Sequence, residues 1–241
     1  MIILNTKNKK NTDMKAIELL KKLEEKPVFR LHDIQRIELC SRQYAILVLN
    51  RLAKRGLIKR VAENTYTTKH DINVIASNVT YPSYISFWYA SYYMGYTEQI
   101  VNTVQVATTA RRKSINFERY DIKFIPLEYF FGYRKIRTDE GDIFLAENEK
   151  LLIDALLRPK ECGNFDEIEK MFENSKISEE KMIDYLKKIG VQTLIKRACF
   201  LLEKIKNIDL SREFKLDKNY VILNPFSAKI TKVNSKWRLK L

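Results

Sequence analysis

The sequence predicts an α+β protein, in which an N-terminal winged helix-turn-helix is followed by a mixed α/β domain rich in helices. Three patterns support this fold class: a capped helix directly before a β-hairpin pattern within the first 70 residues, alternating strand patterns in the middle of the chain, and successive helical patterns after residue 147. The 241 residues are 45% apolar, which is enough for a substantial core. We expect a basic tail at 1–12, the winged helix-turn-helix at 13–70 and a second domain at 71–241.

The first elements read as helix, strand and helix. The first helix is expected to start near Thr12 or Asp13, both of which are common N-caps, and to end at Pro27. A short β-type run covers 28–30, and a short helix follows it at 31–37. This order is the one that precedes the recognition helix of a winged helix.

The most informative segment is 41–56, which predicts a helix with defined ends. Ser41 is a favourable N-cap, and Gly56 supplies a left-handed residue after the last turn. One face has helical spacing and should be buried: Ala45, Val48, Leu49 and Leu52. The opposite face carries mainly polar side chains: Gln43, Tyr44, Leu47, Asn50, Arg51 and Lys54.

The polar side chains of this helix suit the reading of DNA bases. Amide side chains match adenine, and arginine matches guanine in the major groove. We therefore expect five residues to read or approach bases: Gln43, Tyr44, Asn50, Arg51 and Lys54.

A hairpin pattern follows the helix, with two β-prone runs at 57–61 and 65–68 around the polar turn 62–64. Its basic side chains suit phosphate contacts, which fix register without reading sequence. The candidates for the DNA backbone and the wing are Ser41, Arg42, Lys59, Arg60, Asn64 and Lys69. Winged helices also bind protein or RNA, so an adaptor remains an alternative.

The charge of the chain favours an anionic partner. There are 44 Lys and Arg against 30 Asp and Glu, a net charge of +14. Residues 1–70 contain 16 of these bases and 7 of the acids, so the excess is concentrated at the N-terminal end. Nucleic acid is the first candidate and an acidic membrane surface the second. A Lys-rich composition from AT-biased coding or heat adaptation is the non-functional alternative.

Other classes find little support in the sequence. No apolar run approaches the roughly 18 residues of a membrane span. The cysteines Cys40, Cys162 and Cys199 are odd in number and widely spaced, as in proteins of the reducing cytoplasm, and with only His32 and His70 a zinc site is not expected. We expect no cofactor, no metal and no catalytic residue, because no nucleotide-binding loop or hydrolase motif occurs.

One weak enzyme alternative remains. Asp121 and Lys123 lie two residues apart on a predicted strand, with Glu118 nearby. Some metal-dependent nucleases arrange an acid and a lysine in this way to bind Mg²⁺ and activate water. Such spacings are common in a chain that is 31% charged, so an ordinary surface strand is favoured.

The second domain is expected to combine strands and helices. Residues 81–95 read as a buried aromatic helix with Pro near its start and Gly after its end. Strands are predicted at 103–109 and 120–126, and a hairpin is predicted from 131–137 and 142–146. The remaining elements are helices at 147–157, 166–174, 178–189 and 191–205, and extended runs at 220–223 and 236–241.

Several segments of this second domain together resemble the AbiEi family. They are Tyr81-Pro82-Ser83-Tyr84-Ile85-Ser86, Tyr92-Tyr93-Met94-Gly95-Tyr96-Thr97-Glu98-Gln99, Val106-Ala107-Thr108-Thr109, Glu147-Asn148-Glu149-Lys150-Leu151-Leu152-Ile153-Asp154-Ala155-Leu156 with Pro159 and Gly163, and Trp237-Arg238-Leu239. The similarity covers nearly the whole chain from residue 14. The composite of these segments is specific, although each segment alone is not.

The resemblance implies a biological role that spacing does not reveal. Members of the family are antitoxins of type IV (AbiE, abortive-infection) toxin–antitoxin systems. Their winged helix binds repeats in the promoter of their own operon and represses it, and their C-terminal domain is needed for antitoxin action. The cognate toxin is a nucleotidyltransferase-like protein, which is countered without a stable complex. We therefore expect a cytoplasmic, sequence-specific autorepressor of this class.

Overall fold

The computed structural model describes residues 16–227, 230 and 232–241, and the described part is a mixed α+β protein, as the sequence predicts. The expected tail at 1–12 and the expected start of the first helix near Thr12 or Asp13 lie outside these residues. The described residues form three sheets, of which the largest has six strands.

The N-terminal part, from α1 to β3, is called the N-terminal module below. Helix α1 includes residues 16–24, and five elements follow it: β1 (Phe29–Arg30), α2 (Leu31–Glu38), α3 (Arg42–Lys54), β2 (Lys59–Ala62) and β3 (Thr65–Thr67). The strands β2 and β3 are antiparallel and form the N-terminal hairpin, and β1 pairs with β3 on its other side. A separate apolar cluster lies between the three helices and this sheet: Leu19, Leu23, Phe29, Leu31, Ile34, Ala45, Leu49, Leu52 and Ile58.

The next part of the chain builds the six-stranded sheet. Its elements are α4 (Ile72–Asn78), β4 (Ser83–Ile85), α5 (Phe87–Tyr93), β5 (Thr103–Thr108), β6 (Ile115–Phe117), β7 (Tyr120–Pro126), β8 (Tyr133–Thr138) and β9 (Gly141–Ala146). The strand order is β6-β7-β5-β4-β9-β8. The β5–β7 and β4–β9 pairs are parallel and the others antiparallel, so β6 and β8 are the edges. Strands β4 and β5 occupy the centre of the sheet, where β4 is fully buried and β5 is buried except at its first residue.

The predicted helix at 81–95 is wrong in its first half. Ser83–Ile85 is the fully buried strand β4, and only Phe87–Tyr93 is helical. A run that is apolar on every side fits a strand buried on both faces as well as a buried helix, because periodicity does not distinguish the two. Phe87, with φ of +59°, makes the transition between strand and helix.

The C-terminal part is mainly helical. It contains α6 (Asn148–Leu157), a 3₁₀ turn (Pro159–Cys162), α7 (Phe165–Asn174), α8 (Glu179–Ile189) and α9 (Gln192–Leu201), which continues into a π turn (Leu202–Lys206). Short strands β10 (Val221–Ile222), β11 (Val233–Asn234) and β12 (Leu239–Lys240) form a third sheet. Helix α6 contacts α5, α7, α8 and α9 and is therefore buried on almost all sides.

Two contacts from turns of the six-stranded sheet hold the start of the N-terminal hairpin and the segment that follows it. Glu118, in the β6–β7 turn, accepts a hydrogen bond from Lys59 Nζ at 2.6 Å. Glu140, in the β8–β9 turn, accepts the backbone N–H groups of His70 and Asp71 at 2.6 and 2.7 Å. Strand β2 also packs beside β6. The N-terminal module is thus fixed to the edge of the larger sheet.

A buried polar cluster lies at the centre of the larger core. Lys150 and Asp154, one turn apart on α6, are both fully buried and form an ion pair. Asp154 Oδ2 also accepts hydrogen bonds from Tyr84 Oη at 3.0 Å and Ser86 Oγ at 2.8 Å. Burial raises the pKa of the Asp154 carboxyl, while Lys150 and the two hydroxyl donors oppose that rise. The cluster joins α6 to the central strand β4.

Replacing Lys150 by Met should lower the free energy of unfolding at pH 7 by about 3–5 kcal/mol, because Asp154 is left buried without its counter-charge. The double change Lys150→Met with Asp154→Asn removes both charges and should be clearly less destabilising. Urea unfolding followed by circular dichroism measures both. The control Lys160→Met, at an exposed position, should stay within about 0.5 kcal/mol of the wild type. Equal stability of Lys150→Met and the control would contradict a structural role for the pair.

Candidate nucleic-acid interface

Helix α3 has well-defined ends. The Ser41 hydroxyl accepts a hydrogen bond from the Tyr44 backbone N–H at 3.3 Å, as an N-cap does. Gly56, with φ of +69°, follows the last turn and leads the chain into β2. Leu39, with φ of +46°, makes the tight turn between α2 and α3. The capped ends and the turn fix the direction of α3 relative to α2.

The two faces of α3 are separated as the sequence predicts. Ala45, Leu49 and Leu52 are buried in the N-terminal cluster, and Val48 is half-buried against it. All the candidate base-reading side chains are exposed on the rest of the helix: Gln43, Tyr44, Asn50, Arg51 and Lys54. Leu47, on the same side, is 52% exposed.

The exposed face of α3 carries positive charge that the protein does not neutralise. Six basic residues and no acidic residue occur between Leu39 and Ala62. Within the described part of the chain, neither Arg51 nor Lys54 has an ion-pair or hydrogen-bond partner on its side chain. These two cations are therefore available to an anionic ligand.

The N-terminal hairpin places the backbone-binding candidates in different environments. Arg60 is exposed, and its Nε donates to the Ala62 carbonyl at 3.3 Å. Asn64 lies at the tip of the hairpin with φ of +53°, a conformation that asparagine tolerates well. Arg42 is exposed at the start of α3, next to Ser41, whose hydroxyl is used in capping. Three of the six candidates, Arg42, Arg60 and Asn64, are thus exposed with side chains open to a ligand.

Lys59 and Lys69 are less available. Lys59 Nζ pairs with Glu118 and lies 3.3 Å from His70 Nδ1, so it faces the larger sheet. Lys69 is half-buried, and its backbone N–H donates to the Thr67 hydroxyl at 3.0 Å. Lys59 thus contributes to the attachment of the hairpin.

The sequence reasoning did not single out a second basic element beside the hairpin. The loop between β5 and β6 contains Arg111, Arg112 and Lys113, all exposed. Arg112 and Lys113 line an open groove of about 550 Å³ together with Asn64 and Arg30. Three consecutive basic residues are a visible feature of the sequence, but their position beside the hairpin becomes apparent only in the folded chain.

Lys123 and Glu118, two of the three residues of the nuclease alternative, form ion pairs with other residues. Lys123 Nζ pairs with Glu161 at 2.5 Å, and Glu118 pairs with Lys59. Across residues 16–227, 230 and 232–241, no group of three or more His, Cys, Asp or Glu side chains is arranged to hold a metal ion. The observed contacts of Glu118 and Lys123 are those of surface ion pairs.

The cysteines and the helices add two further observations. All three cysteines are free, Cys162 and Cys199 are buried, and burial raises the pKa of Cys199 to about 12. A thiol with so high a pKa stays protonated near neutral pH and is a poor nucleophile. No described helix is both long enough and apolar enough to cross a membrane.

Comparison with solved structures gives a structural likeness, whereas comparison with families and curated proteins gives none. No family model matches the sequence, and no curated protein matches it. Among solved structures, the crystal structure of the RV2827C protein from Mycobacterium tuberculosis aligns with a TM-score of 0.60 at 12% identity. The alignment covers 93% of this chain and 90% of that chain. At this identity the likeness concerns the fold alone.

The start of α2 depends on a buried carboxylate, and its charge should make the N-terminal module pH-sensitive. Asp33 accepts the Arg30 backbone N–H at 2.8 Å and pairs with Lys26, and Arg36 lies 3.4 Å away. Burial acts to raise the pKa of Asp33, but the hydrogen bonds from Lys26 and Arg30 outweigh it and lower the pKa below its usual value. The ionised form therefore stabilises the fold.

Replacing Asp33 by Asn should reduce the free energy of unfolding by about 1–3 kcal/mol at pH 7, because the charged acceptor of these hydrogen bonds is removed. Because the folded pKa of Asp33 is depressed, this contribution is fully present above the unfolded pKa and is lost as the pH falls through the folded pKa. The variant and the wild type should therefore converge in stability below the folded pKa. Urea unfolding at several pH values measures the difference. Glu24→Gln, an exposed change of the same charge on α1, should show little effect, and a pH-independent Asp33 effect would contradict the assignment.

Proposed function

We propose that the N-terminal module is a winged helix-turn-helix that binds double-stranded DNA, with α3 as its recognition helix and the N-terminal hairpin as its wing. The observation that carries the proposal is the exposed face of α3, where Gln43, Asn50, Arg51 and Lys54 lie together without an acidic neighbour on the helix. A solvated polar face is ordinary for a surface helix. What favours an anionic ligand here is that this face carries cations with no acidic residue among them.

The dimensions and chemistry of α3 fit the major groove. The groove is about 12 Å wide and admits one α-helix. Helix α3 has 13 residues, and its amide and guanidinium groups project from the side opposite the core. Arginine can donate two hydrogen bonds to guanine, and asparagine or glutamine can form two with adenine. The helix therefore offers a donor and acceptor pattern that can distinguish sequences.

The DNA backbone is assigned to Arg42, Arg60 and Asn64. These side chains lie at the start of α3 and on the hairpin, where phosphates flank a helix inserted in the groove. Lys59 is not assigned to phosphate in this proposal, since its amino group already pairs with Glu118.

The biological role we propose follows the resemblance to the AbiEi family. The protein acts in the cytoplasm as an autorepressor on promoter repeats of its own operon and as the antitoxin of a type IV system. In this proposal the residues after 70 form the antitoxin domain, which counters a nucleotidyltransferase-like toxin without a stable complex. Glu140 accepts hydrogen bonds from the backbone at His70 and Asp71, which lie where the proposed DNA-binding module meets the proposed antitoxin domain.

One observation favours a second candidate, a winged-helix adaptor that binds protein. Leu39 is 91% exposed, and Leu47 is 52% exposed on α3. Exposed large apolar side chains are typical of protein contacts where they form a continuous patch. On DNA, Leu47 has an alternative partner in a thymine methyl group. The two candidates make different predictions for the same variants.

The first prediction concerns specific DNA binding. The wild type should bind DNA from upstream of its own gene more tightly than random DNA in a mobility-shift titration at physiological salt. Because Arg51→Ala removes the guanidinium group that pairs with a base, it should weaken binding to the upstream DNA by about 1–3 kcal/mol, roughly 5- to 150-fold in Kd. The double variant Arg51→Ala with Lys54→Ala should bind upstream and random DNA equally.

The control removes two positive charges elsewhere. Arg212→Ala with Lys215→Ala changes two exposed cations after α9 and should leave the preference unchanged. If the wild type binds both DNAs equally, the specific-regulator proposal fails and the adaptor becomes the better explanation. If the control variant loses binding as fully as Arg51→Ala with Lys54→Ala, total charge and not α3 is responsible.

A second prediction separates repression from antitoxin action. Cells that produce the neighbouring nucleotidyltransferase-like protein should recover growth with the wild-type chain and equally with the Arg51→Ala, Lys54→Ala variant. A reporter driven by the upstream region should be repressed by the wild type alone. Growth and reporter output are measured in the same strain. A folded variant that fails to restore growth would show that the two activities are not separable at α3.

A further inference from the structure

An open groove separates the tip of the N-terminal hairpin from the loop that joins β5 and β6. Asn64 and Glu63 lie on the hairpin side, and Arg112, Lys113 and Ser114 lie on the loop side. Arg30, which precedes α2, also lines the groove. Two distant parts of the sequence therefore share one surface.

One ion pair and the lining of the groove show how the hairpin and the loop are arranged. Lys59, at the start of β2, pairs with Glu118, just after the end of β6. Asn64, just after the end of β2, lines the groove with Ser114, just before the start of β6. The two strands thus run side by side in opposite directions. The hairpin tip and the loop before β6 consequently lie at the same end.

The β5–β6 loop is held at both ends. At its start the Thr108 hydroxyl donates to the Ala110 carbonyl at 2.7 Å, and at its end Ile115 pairs with Ile122 of β7. The residues between, including Arg111, Arg112 and Lys113, are all exposed. The loop therefore projects three adjacent cations from a fixed base.

Three cations, Arg30, Arg112 and Lys113, line the groove, and Arg111 adjoins it in the chain, so this surface carries an excess of positive charge. Within the described part of the chain, Arg111, Arg112 and Lys113 have no ion-pair partner, and Arg30 has none on its side chain. Glu63 is the one acidic residue that lines the groove. Surface cations this close together repel one another, so an anion between them would relieve that repulsion.

We propose that Arg111, Arg112 and Lys113 bind phosphates of the DNA beyond the segment contacted by the hairpin, so that the six-stranded sheet contributes directly to the DNA-binding surface. The inference rests on the proposed function of α3 and its wing. A wing lies against the DNA backbone beside the recognition helix. The loop lies beside the tip of that wing and faces the next phosphates along the duplex. Exposed, flexible Arg and Lys side chains suit phosphate and not base recognition.

The loop should add affinity without adding sequence preference. Because β2 is fixed beside β6, the distance between α3 and the loop is set by the fold, and the extra phosphates lie at a constant distance on one flank of the site. Each phosphate neutralised contributes about 0.9 to the slope of log K against log salt concentration. Three neutralised phosphates would therefore change that slope by up to about 2.7.

The test uses the full chain with Arg111→Ala, Arg112→Ala and Lys113→Ala together. Fluorescence anisotropy titrations on upstream DNA and on random DNA, each at several salt concentrations, give Kd and the salt slope. We expect Kd to rise at least 10-fold on both DNAs, the ratio between them to stay as in the wild type, and the slope to fall by about 1–3. Hydroxyl-radical protection should disappear on one flank of the site alone.

The matched control removes three cations at once from the segment after α9, with Arg212→Ala, Lys215→Ala and Lys218→Ala, all exposed. If the loop variant and this control have the same slope and footprint, the inference is overturned while specific binding through α3 stands. If the loop variant loses the preference for upstream DNA but keeps its slope, the loop reads bases and the phosphate assignment is wrong. If the wild type lacks specific binding, the proposed function fails and this inference fails with it.

Discussion

The attachment of the N-terminal hairpin to the six-stranded sheet determines where α3 and the β5–β6 loop lie relative to each other. Two glutamates, each from a tight turn of the sheet, make the attachment. Glu140 is the stronger of the two, because a carboxylate that accepts two backbone N–H groups forms charge-assisted bonds. Burial acts to raise the pKa of Glu140, but those two bonds outweigh it and lower the pKa. The Lys59–Glu118 pair is half-exposed and contributes little energy, though it fixes the side-by-side arrangement of β2 and β6.

The attachment joins two apolar clusters that are otherwise distinct. The smaller cluster lies within the N-terminal module, while Val61 of β2 already belongs to the larger one. The hairpin therefore packs on the smaller cluster through Tyr66 of β3 and on the larger cluster through Val61 of β2. Any change in the angle between α3 and the sheet would have to break buried contacts in both clusters. Buried contacts in both clusters therefore hold the surfaces of the two parts in one arrangement.

The sequence was informative where local physics decides the structure. Helix α3 was predictable because Ser41, Gly56 and the spacing of Ala45, Leu49 and Leu52 all act within one helix. Strand β4 was missed because Tyr84 and Ile85 are buried on both faces and show no alternation. Strand β6, of three residues, is too short to give a pattern. The Lys59–Glu118 pair joins residues 59 positions apart, and no local pattern predicts such a contact.

Because ion pairs can join residues that are far apart in sequence, a count of charges is a poor guide to a binding surface. Lys59 and Lys123 contribute to the net charge of +14, yet both pair with carboxylates of the protein itself. Arg51 and Arg112 contribute equally to the count and are left without partners in the described chain. Pairing by the fold therefore decides which cations remain for a ligand. In this protein the unpaired cations of α3 and those of the β5–β6 loop come from separate parts of the sequence. The attached hairpin places its tip beside the loop, and this sets the distance between the loop and α3.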